Sequence, residues 1–187
     1  MNFNIDFSYA RLSSKNYSPT KILETERLIL REVVETDAAF ILDLLNSPSF
    51  IKYIGDRNVR VVDEARDYIK TRFIKSYRDF GYGLYAVEVK EKKISVGICG
   101  FVKRDSLPDA DIGFAFLPQF ERKGYGVESA SAVMEYGRNS LSLKRILAIT
   151  TPHNESSIRL LEKLNFKFEG LVKLSRDADE VKLFSFE

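Results

Sequence analysis

The segment Leu117–Gly126 combines residue types that bind anions: two cationic side chains stand beside two glycines, just before a predicted helix. Glycine lets the backbone approach a phosphate without an intervening Cβ. A helix N-terminus adds unpaired N–H groups at the positive end of the helix dipole. On this segment alone, a plain tight turn into a helix explains the glycines equally well. The segment predicts a phosphate site at five consecutive residues: Arg122, Lys123, Gly124, Tyr125 and Gly126.

Two other nucleotide-binding motifs are excluded by the same residues. The segment does not end in Gly-Lys-Ser or Gly-Lys-Thr, so it is not a Walker A loop. No Gly-x-Gly-x-x-Gly opens a βαβ unit with an acidic residue after the next strand, which argues against a Rossmann dinucleotide site.

A second candidate segment begins at Asn154, where a helical apolar pattern starts. Asn154 can cap this helix, or it can offer its side-chain amide to a ligand. Ser157 lies three positions further on and falls on the same helical face. Taken alone, the simplest interpretation is an Asn cap followed by a solvated serine.

The composition narrows the class of protein. The chain has 187 residues, enough for one well-packed domain, and its 44% hydrophobic and 30% charged residues are ordinary for a globular protein. A net charge of +2 gives no electrostatic argument for a nucleic acid or an anionic membrane as partner. Cys99 is the only cysteine and His153 the only histidine, so we expect a buried thiol and no zinc site. Met1–Arg11 lacks the apolar core of a signal peptide, so we expect a cytoplasmic protein.

Apolar periodicity predicts one domain over residues 21–187, preceded by an arm at residues 1–20. The predicted order is β-α-α-β-β-β-α-β-α-β-β, which is typical of an α/β or α+β domain with a mostly antiparallel first half. The predicted helices run from Thr36 to a stop at Ser47-Pro48, from near Asp63 to near Gly81, from near Tyr125, and from Asn154. The predicted strands are Thr25–Val33, Leu84–Val89, Ile94–Val102, Asp111–Leu117, Arg145–Thr150, Phe166–Leu174 and Val181–Phe186.

In this order and spacing, four stretches resemble the GNAT N-acetyltransferases, and within them the branch of ribosomal-protein N-terminal acetyltransferases of the Rim type. Each stretch is weak alone, but the four together are hard to obtain by chance. They are Glu24–Arg31, Ile112–Pro118, Lys123–Gly126, and Asn154-x-x-Ser157 with the following Leu161–Phe166.

The resemblance implies a fold and a cofactor. The fold is a mixed, mostly antiparallel sheet of about seven strands with flanking helices. Its two central parallel strands, Asp111–Leu117 and Arg145–Thr151, splay apart at their carboxyl ends. The pantetheine arm of acetyl-CoA then binds the backbone of Phe116 and Leu117 in that gap, its pyrophosphate lies on residues 122–126, and Asn154 and Ser157 line the same cleft. No metal is implied.

The resemblance also implies an activity, the direct transfer of an acetyl group to a primary amine. A protein or peptide α-amine is the favoured acceptor, and a polyamine or antibiotic amine is an alternative. The enzyme would be a monomer or a homodimer. A second hypothesis is a protein of the same fold that binds acetyl-CoA as a sensor or interaction module without efficient turnover.

The resemblance implies catalytic roles for only some of these residues. Many family members carry a tyrosine acid where this chain has Leu161, so Ser157 becomes the candidate general acid. The base is unassigned, because the glutamate that the Rim branch uses has no counterpart in register. Asp111 is a weak candidate and Glu88 another, although each is more simply a solvated or paired carboxylate. Asn165 replaces the usual glycine, which asparagine permits because it also adopts left-handed backbone conformations.

Overall fold

A computed structural model describes residues 19–187. The segment Met1–Arg11 and nearly all of the predicted arm therefore lie outside the described residues. Within residues 19–187, no helix is both long enough and apolar enough to cross a membrane.

The described residues form eight strands and six α-helices. The strands are β1 Lys21–Glu24, β2 Leu28–Arg31, β3 Leu84–Val89, β4 Ile94–Val102, β5 Asp111–Phe116, β6 Ile146–Thr150, β7 Lys167–Lys173 and β8 Glu180–Phe186. The helices are α1 Ala38–Leu45, α2 Pro48–Tyr53, α3 Val62–Tyr68, α4 Lys75–Phe80, α5 Tyr125–Asn139 and α6 Glu155–Lys163. Short 3₁₀ turns occupy Glu35–Asp37 and Pro118–Phe120, and a π-helical segment, Ile69–Ile74, joins α3 to α4.

All eight strands belong to one sheet in the order β1-β2-β3-β4-β5-β6-β8-β7. Every neighbouring pair is antiparallel except the central pair β5–β6, which is parallel. One apolar cluster, which includes Tyr85 and Phe101, packs α5 and α6 on one face, and a second, which includes Ile41 and Ile69, packs α1 and the α3–π segment on the other. The predicted mixed, mostly antiparallel sheet with a central parallel pair is confirmed.

The β3–β4 hairpin was predicted with its bounds. Its apolar strands flank Lys90–Lys93, a polar turn that closes with the Lys93 N–H donating to the Val89 carbonyl (2.8 Å). Lys93 takes a positive φ of 52°, as tight hairpin turns require. Strong alternation and a charged turn make this the part of the fold easiest to read from the sequence.

The first predicted strand, Thr25–Val33, is wrong at its start. Only β2, Leu28–Arg31, falls within it, while Thr25–Arg27 form a turn and the unpredicted strand β1 precedes them, which is why the sheet has eight strands rather than about seven. The Thr25 hydroxyl accepts from the Leu28 N–H (3.0 Å), and the Thr25 N–H donates to the Leu28 carbonyl (2.9 Å). A threonine side chain that bonds the nearby backbone competes with the strand ladder, so a turn forms here.

Two helix predictions also need correction. Pro48 does not only end a helix; it occupies the first position of α2, where its missing N–H costs nothing. The predicted helix from Asp63 to Gly81 is present, but it contains the π-helical segment. Apolar residues spaced every four positions drift by about 40° per step on an ordinary helix, and local unwinding keeps Ala65, Ile69 and Phe73 buried on one side.

Candidate active site

The central strands separate almost immediately after they meet. Their register contains a single pair, Asp111 with Leu147, and the Leu147 N–H donates to the Ala110 carbonyl (3.0 Å). Among the described residues, β5 beyond Asp111 has no partner in β6. We call the space between residues 112–116 of β5 and residues 148–150 of β6 the gap. The predicted splaying of the two strands is therefore present.

Backbone groups of alternate β5 residues face this gap. The Leu117 N–H donates to the Val96 carbonyl of β4 (2.9 Å), so Leu117 is turned toward β4. Successive residues of a strand direct their backbone groups to opposite edges. The backbone of Phe116 and Phe114 is therefore directed to the side of β5 on which Ala110 bonds β6, which is the gap. Of the two predicted backbone contacts, Phe116 faces the gap and Leu117 does not.

The loop after β5 adopts a conformation that suits an anion. A 3₁₀ turn starts at Pro118 and closes with the Phe120 N–H on the Leu117 carbonyl (2.8 Å). Arg122 and Gly124 then both take left-handed backbone conformations, with φ of 58° and 84°. This conformation costs a non-glycine residue such as Arg122 roughly 1–2 kcal/mol, so the loop holds backbone strain at that position. Alternating conformations of this kind turn successive N–H groups toward one side.

The N-terminus of α5 is open. Gly124 is its N-cap and has no side chain with which to accept from the first-turn N–H groups. The first helical bond is made only by Glu128, whose N–H donates to the Gly124 carbonyl (3.1 Å). The N–H groups of the first turn and the positive end of the helix dipole are thus available to a ligand.

Gly126 joins this helix to the rest of the site. A Cβ at Gly126 would lie 2.9 Å from Cδ1 of Leu160 in α6 and 3.6 Å from Cε2 of Phe116 in β5. The first turn of α5, the end of β5 and α6 therefore converge, and they do so because this position has no side chain. The predicted residues Phe116, Tyr125 and Gly126 lie in one region.

The N-terminus of α6 is closed by its own cap. Asn154 Oδ1 accepts from the Ser157 N–H at 3.1 Å, so the predicted cap is confirmed. Ser157 is only 8% exposed, which excludes the simpler interpretation of a solvated serine. Nearby, Thr151 follows β6 at the open end of the gap, and its buried hydroxyl has no hydrogen-bond partner among the described residues.

The candidate bases both lie in ion pairs. Asp111 is 1% exposed, stands where β5 and β6 still pair, and accepts from Nε of Arg104 (2.9 Å). Burial raises the pKa of Asp111 to about 6, although Arg104 acts in the opposite direction. Glu88 accepts from Nε of Arg31 (3.2 Å), which also forms a two-bond pair with Asp37. Neither carboxylate is free.

Other residues singled out in the sequence have structural settings. Cys99 is fully buried in β4, and burial raises the pKa of its thiol to about 12, so it is an inert thiol as expected. His153 is exposed. Asn165 takes the expected left-handed conformation, with φ of 63°. No group of metal-ligating side chains occurs within residues 19–187.

Arg27 and Glu128, for which no site role was predicted, contact each other beside the loop. Nε and Nη2 of Arg27 contact Glu128 Oε2 at 2.7 Å each, and Nη1 donates to the carbonyl of Lys123 (3.1 Å). The guanidinium also lies over the ring of Tyr125, with its Cζ 4.8 Å from the ring centroid. One sequence signal was available: Glu128 is an acidic residue in the first turn of a helix predicted to bind phosphate. Its charge would repel the phosphate unless a cationic side chain lay beside it.

Known proteins carry the same sequence features and fold. The sequence profile described as "Acetyltransferase (GNAT) domain" matches residues 27–167. The uncharacterised N-acetyltransferase YoaA of Bacillus subtilis is 33% identical over 153 residues, which cover 81% of this chain and 86% of YoaA. The ribosomal protein uS5-alanine N-acetyltransferase of Escherichia coli is 29% identical over 167 residues, covering 83% of this chain and 82% of that enzyme.

A solved structure extends the likeness to the fold. RimL, a ribosomal L7/L12 α-N-protein acetyltransferase in complex with coenzyme A, superposes with a TM-score of 0.75, covering 89% of this chain and 97% of RimL at 19% identity. At 19% identity this likeness shows a shared fold and nothing further. The family profile spans most of the chain, and relatives within the Rim-type branch are detected by sequence. The protein therefore belongs to the GNAT acetyltransferase family and is an N-acetyltransferase.

Proposed function

We propose that this protein transfers the acetyl group of acetyl-CoA directly to a primary amine, with the α-amine of a protein or peptide N-terminus as the favoured acceptor. One observation carries the proposal: a gap lined by unpaired strand backbone ends at a helix N-terminus whose cap residue, Gly124, has no side chain. A ligand with two amides and a pyrophosphate matches that order of groups.

The residues around the gap fit acetyl-CoA. The outward backbone of Phe116 and Phe114 can bond the pantetheine amides, as an added strand would. The loop from Arg122 to Gly126 offers N–H groups and two cationic side chains to the pyrophosphate. The unpartnered hydroxyl of Thr151 favours a polar ligand over an empty gap, because a buried hydroxyl without a partner costs free energy.

The reaction forms a C–N bond and breaks the C–S bond of the thioester. The acceptor nitrogen, which arrives mainly as an ammonium, loses one proton before attack and a second as the amide forms, and the departing thiolate gains one. We assign the proton that the thiolate gains to the hydroxyl of Ser157, in the first turn of α6, and solvent then reprotonates that hydroxyl. A water that relays the amine proton to solvent replaces a side-chain base, since Asp111 and Glu88 are both held in ion pairs.

The acceptor class rests on relatives. The Escherichia coli relative is named for an alanine of ribosomal protein uS5, and RimL is named as an α-N-protein acetyltransferase of ribosomal L7/L12. A peptide α-amine is therefore the first acceptor to test here, with polyamine and antibiotic amines next. The single, buried Cys99 fits a reducing compartment, so we also propose action in the cytoplasm.

Thiol release from acetyl-CoA tests the proposal. Peptides that begin with alanine or serine should give release, and the same peptides with a blocked N-terminus but a free lysine should not. Spermidine and an aminoglycoside complete the panel. Release with the blocked peptides alone would overturn the α-amine assignment while leaving an amine acetyltransferase.

The paired carboxylates favour one alternative, a protein that binds acetyl-CoA without efficient turnover. Calorimetric titration with acetyl-CoA separates the two. Tight binding with no release above hydrolysis for any amine supports the alternative. Failure to bind at millimolar concentration would contradict both.

A further inference from the structure

The turn between β1 and β2 contacts residues 122–126, which we call the phosphate loop. Its Arg27 contacts the Lys123 carbonyl of that loop and the Glu128 side chain in the first turn of α5, which are 96 and 101 residues away in the chain. Given the proposed function, on which this inference rests, we propose that Arg27 is a positioning residue that sets the loop for the acetyl-CoA pyrophosphate. Arg27 acts through the loop and does not itself bind the phosphates.

The turn that presents Arg27 is itself anchored. The Thr25 hydroxyl donates to Glu128 Oε1 (2.5 Å), and the Arg27 N–H donates to the same oxygen (3.0 Å). From the other side, the Lys90 ammonium donates to the Thr25 carbonyl, and the Lys90 N–H donates to the Arg27 carbonyl (3.0 Å). Arg27 is thus fixed at its backbone and at its guanidinium, as a positioning group must be.

The bond to Lys123 determines where one donor of the loop points. The Lys123 carbonyl and the Gly124 N–H belong to the same planar trans peptide, so they point in opposite directions. Because Arg27 holds the carbonyl on its own side, the Gly124 N–H is held facing away from Arg27. A Cβ on Gly124 would lie 3.1 Å from Arg27 Nη2, a tight contact, and the φ of 84° there also favours glycine.

The pair with Glu128 removes an electrostatic conflict. A carboxylate in the first turn of α5 would repel the pyrophosphate that the same turn is proposed to bind. Partial burial acts to raise the pKa of Glu128, but hydrogen bonds from Thr25 and Arg27 outweigh it and lower the pKa overall. The carboxylate is therefore charged, and Arg27 neutralises it and holds it on the face turned toward β1 and β2.

The experiment measures CoA affinity by calorimetry and KM for acetyl-CoA in native protein and in Arg27→Ala. In Arg27→Ala we expect the dissociation constant of CoA and KM for acetyl-CoA each to rise roughly tenfold, which corresponds to the free energy of about one charged hydrogen bond. We expect kcat and KM for the acceptor to be unchanged. Use of S-acetylpantetheine, which lacks the pyrophosphate, should be the same in both proteins. Arg27→Lys should recover part of the affinity, because it keeps the charge beside Glu128 but not the fork that also reaches Lys123.

Glu128→Ala separates positioning from direct binding. If Arg27 positions the loop, this variant also weakens CoA, because Arg27 loses the partner that orients it. If Arg27 binds the phosphates directly, removal of the carboxylate leaves CoA affinity unchanged or tighter, and that result overturns the proposal.

Arg145→Ala is the matched control, since it removes a guanidinium paired with Glu169 (2.5 Å) at the far end of β6. It should leave CoA affinity unchanged, and urea unfolding shows whether each variant is folded. If Arg27→Ala loses turnover of S-acetylpantetheine, or if it binds CoA as tightly as the native protein does, the inference about Arg27 is overturned and the proposed function is not affected. Native protein that fails to bind CoA overturns the proposed function as well.

Discussion

The two helices beside the gap begin in opposite ways. Both follow a central parallel strand, α5 after β5 and α6 after β6, and both direct their N-termini toward the same region. At α5 the cap is Gly124, which has no side chain, and the first-turn N–H groups have no side-chain partner at that position. At α6 the cap is Asn154, whose side chain already occupies the Ser157 N–H.

In the proposed function, this difference separates binding from chemistry. An open N-terminus can take an external anion, which is why we propose α5 for the pyrophosphate. A capped N-terminus has fewer N–H groups to offer an anion but holds its second and third residues rigidly, which is why we propose a proton donor, Ser157, on α6. Substitutions at each terminus should therefore change different kinetic constants.

Gly124→Val should have the largest effect. A branched residue at φ of 84° is strained, and its Cβ would lie 3.1 Å from Nη2 of Arg27, which must then shift slightly. The branched side chain would also block the approach of the pyrophosphate to the loop backbone, so we expect KM for acetyl-CoA to rise about a hundredfold, beyond the effect of Arg27→Ala, with a smaller change in kcat.

Gly81→Val is the control for backbone strain. Gly81 has a similar φ of 75°, and a Cβ there would meet nothing within 4 Å. It should lower the free energy of unfolding by a similar amount and leave KM for acetyl-CoA unchanged. An equal rise in KM in both variants would mean that strain, rather than the phosphate loop, causes the effect.

Ser157→Ala tests the other terminus. If its hydroxyl protonates the thiolate, kcat should fall by about ten- to a hundredfold while KM for acetyl-CoA changes little. The exposed neighbour Ser156→Ala is the matched control and should keep the native kcat. Native kcat in Ser157→Ala would remove this residue from the mechanism.

Asp111→Asn tests the closed end of the gap by its pH dependence. The folded pKa of Asp111, about 6, lies above its ordinary value of 3.8, so between these pH values the folded state keeps a proton that the unfolded state releases. Stability must then fall as pH rises through this window, by about 1.4 kcal/mol per pH unit.

The difference in unfolding free energy between the native protein and Asp111→Asn should show that slope between pH 4 and pH 6 and flatten above it. Asp105→Asn, an exposed neighbour, should track the native protein. If Asp111 were the base, its variant would also lose most of kcat, which we do not expect from a carboxylate paired with Arg104.

Asn154→Ala should have the smallest effect, because it only removes the side-chain cap of α6, which α5 lacks already. Loss of the cap should lower the free energy of unfolding by about 1 kcal/mol, measured by urea denaturation. Asn154→Asp keeps the accepting oxygen and should restore stability. If the Asn154 amide also contacts acetyl-CoA, as the sequence resemblance implies, both variants will raise KM.

The sequence predicts what depends on neighbouring residues. The β3–β4 hairpin and the Asn154 cap could be identified because the pattern that determines each lies within a few residues of it, whereas the left-handed Asn165 was expected from the family resemblance. The central parallel pair required the family resemblance, since residues on β5 and β6 meet only after a helix intervenes.

The features that the sequence did not predict depend on contacts between residues far apart in the chain. The turn at Thr25 looks like strand in the sequence, because its hydroxyl bonds are invisible until β2 forms. Arg27 is an ordinary charged residue until Glu128, 101 positions away, is brought beside it. Likewise, Asp111 could be proposed as a base only while its pairing with Arg104 was unknown.

The gap also divides the sheet mechanically. Strands β1–β5 form one ladder and β6, β8 and β7 another, and they share one register pair at Asp111. Amide hydrogens of Phe114 and Phe116, which face the gap, should exchange with deuterium much faster than those of Gly113 and Ala115, which bond β4. A pantetheine arm bound between the two ladders would slow exchange at Phe114 and Phe116, and the two halves would then open as one cooperative unit.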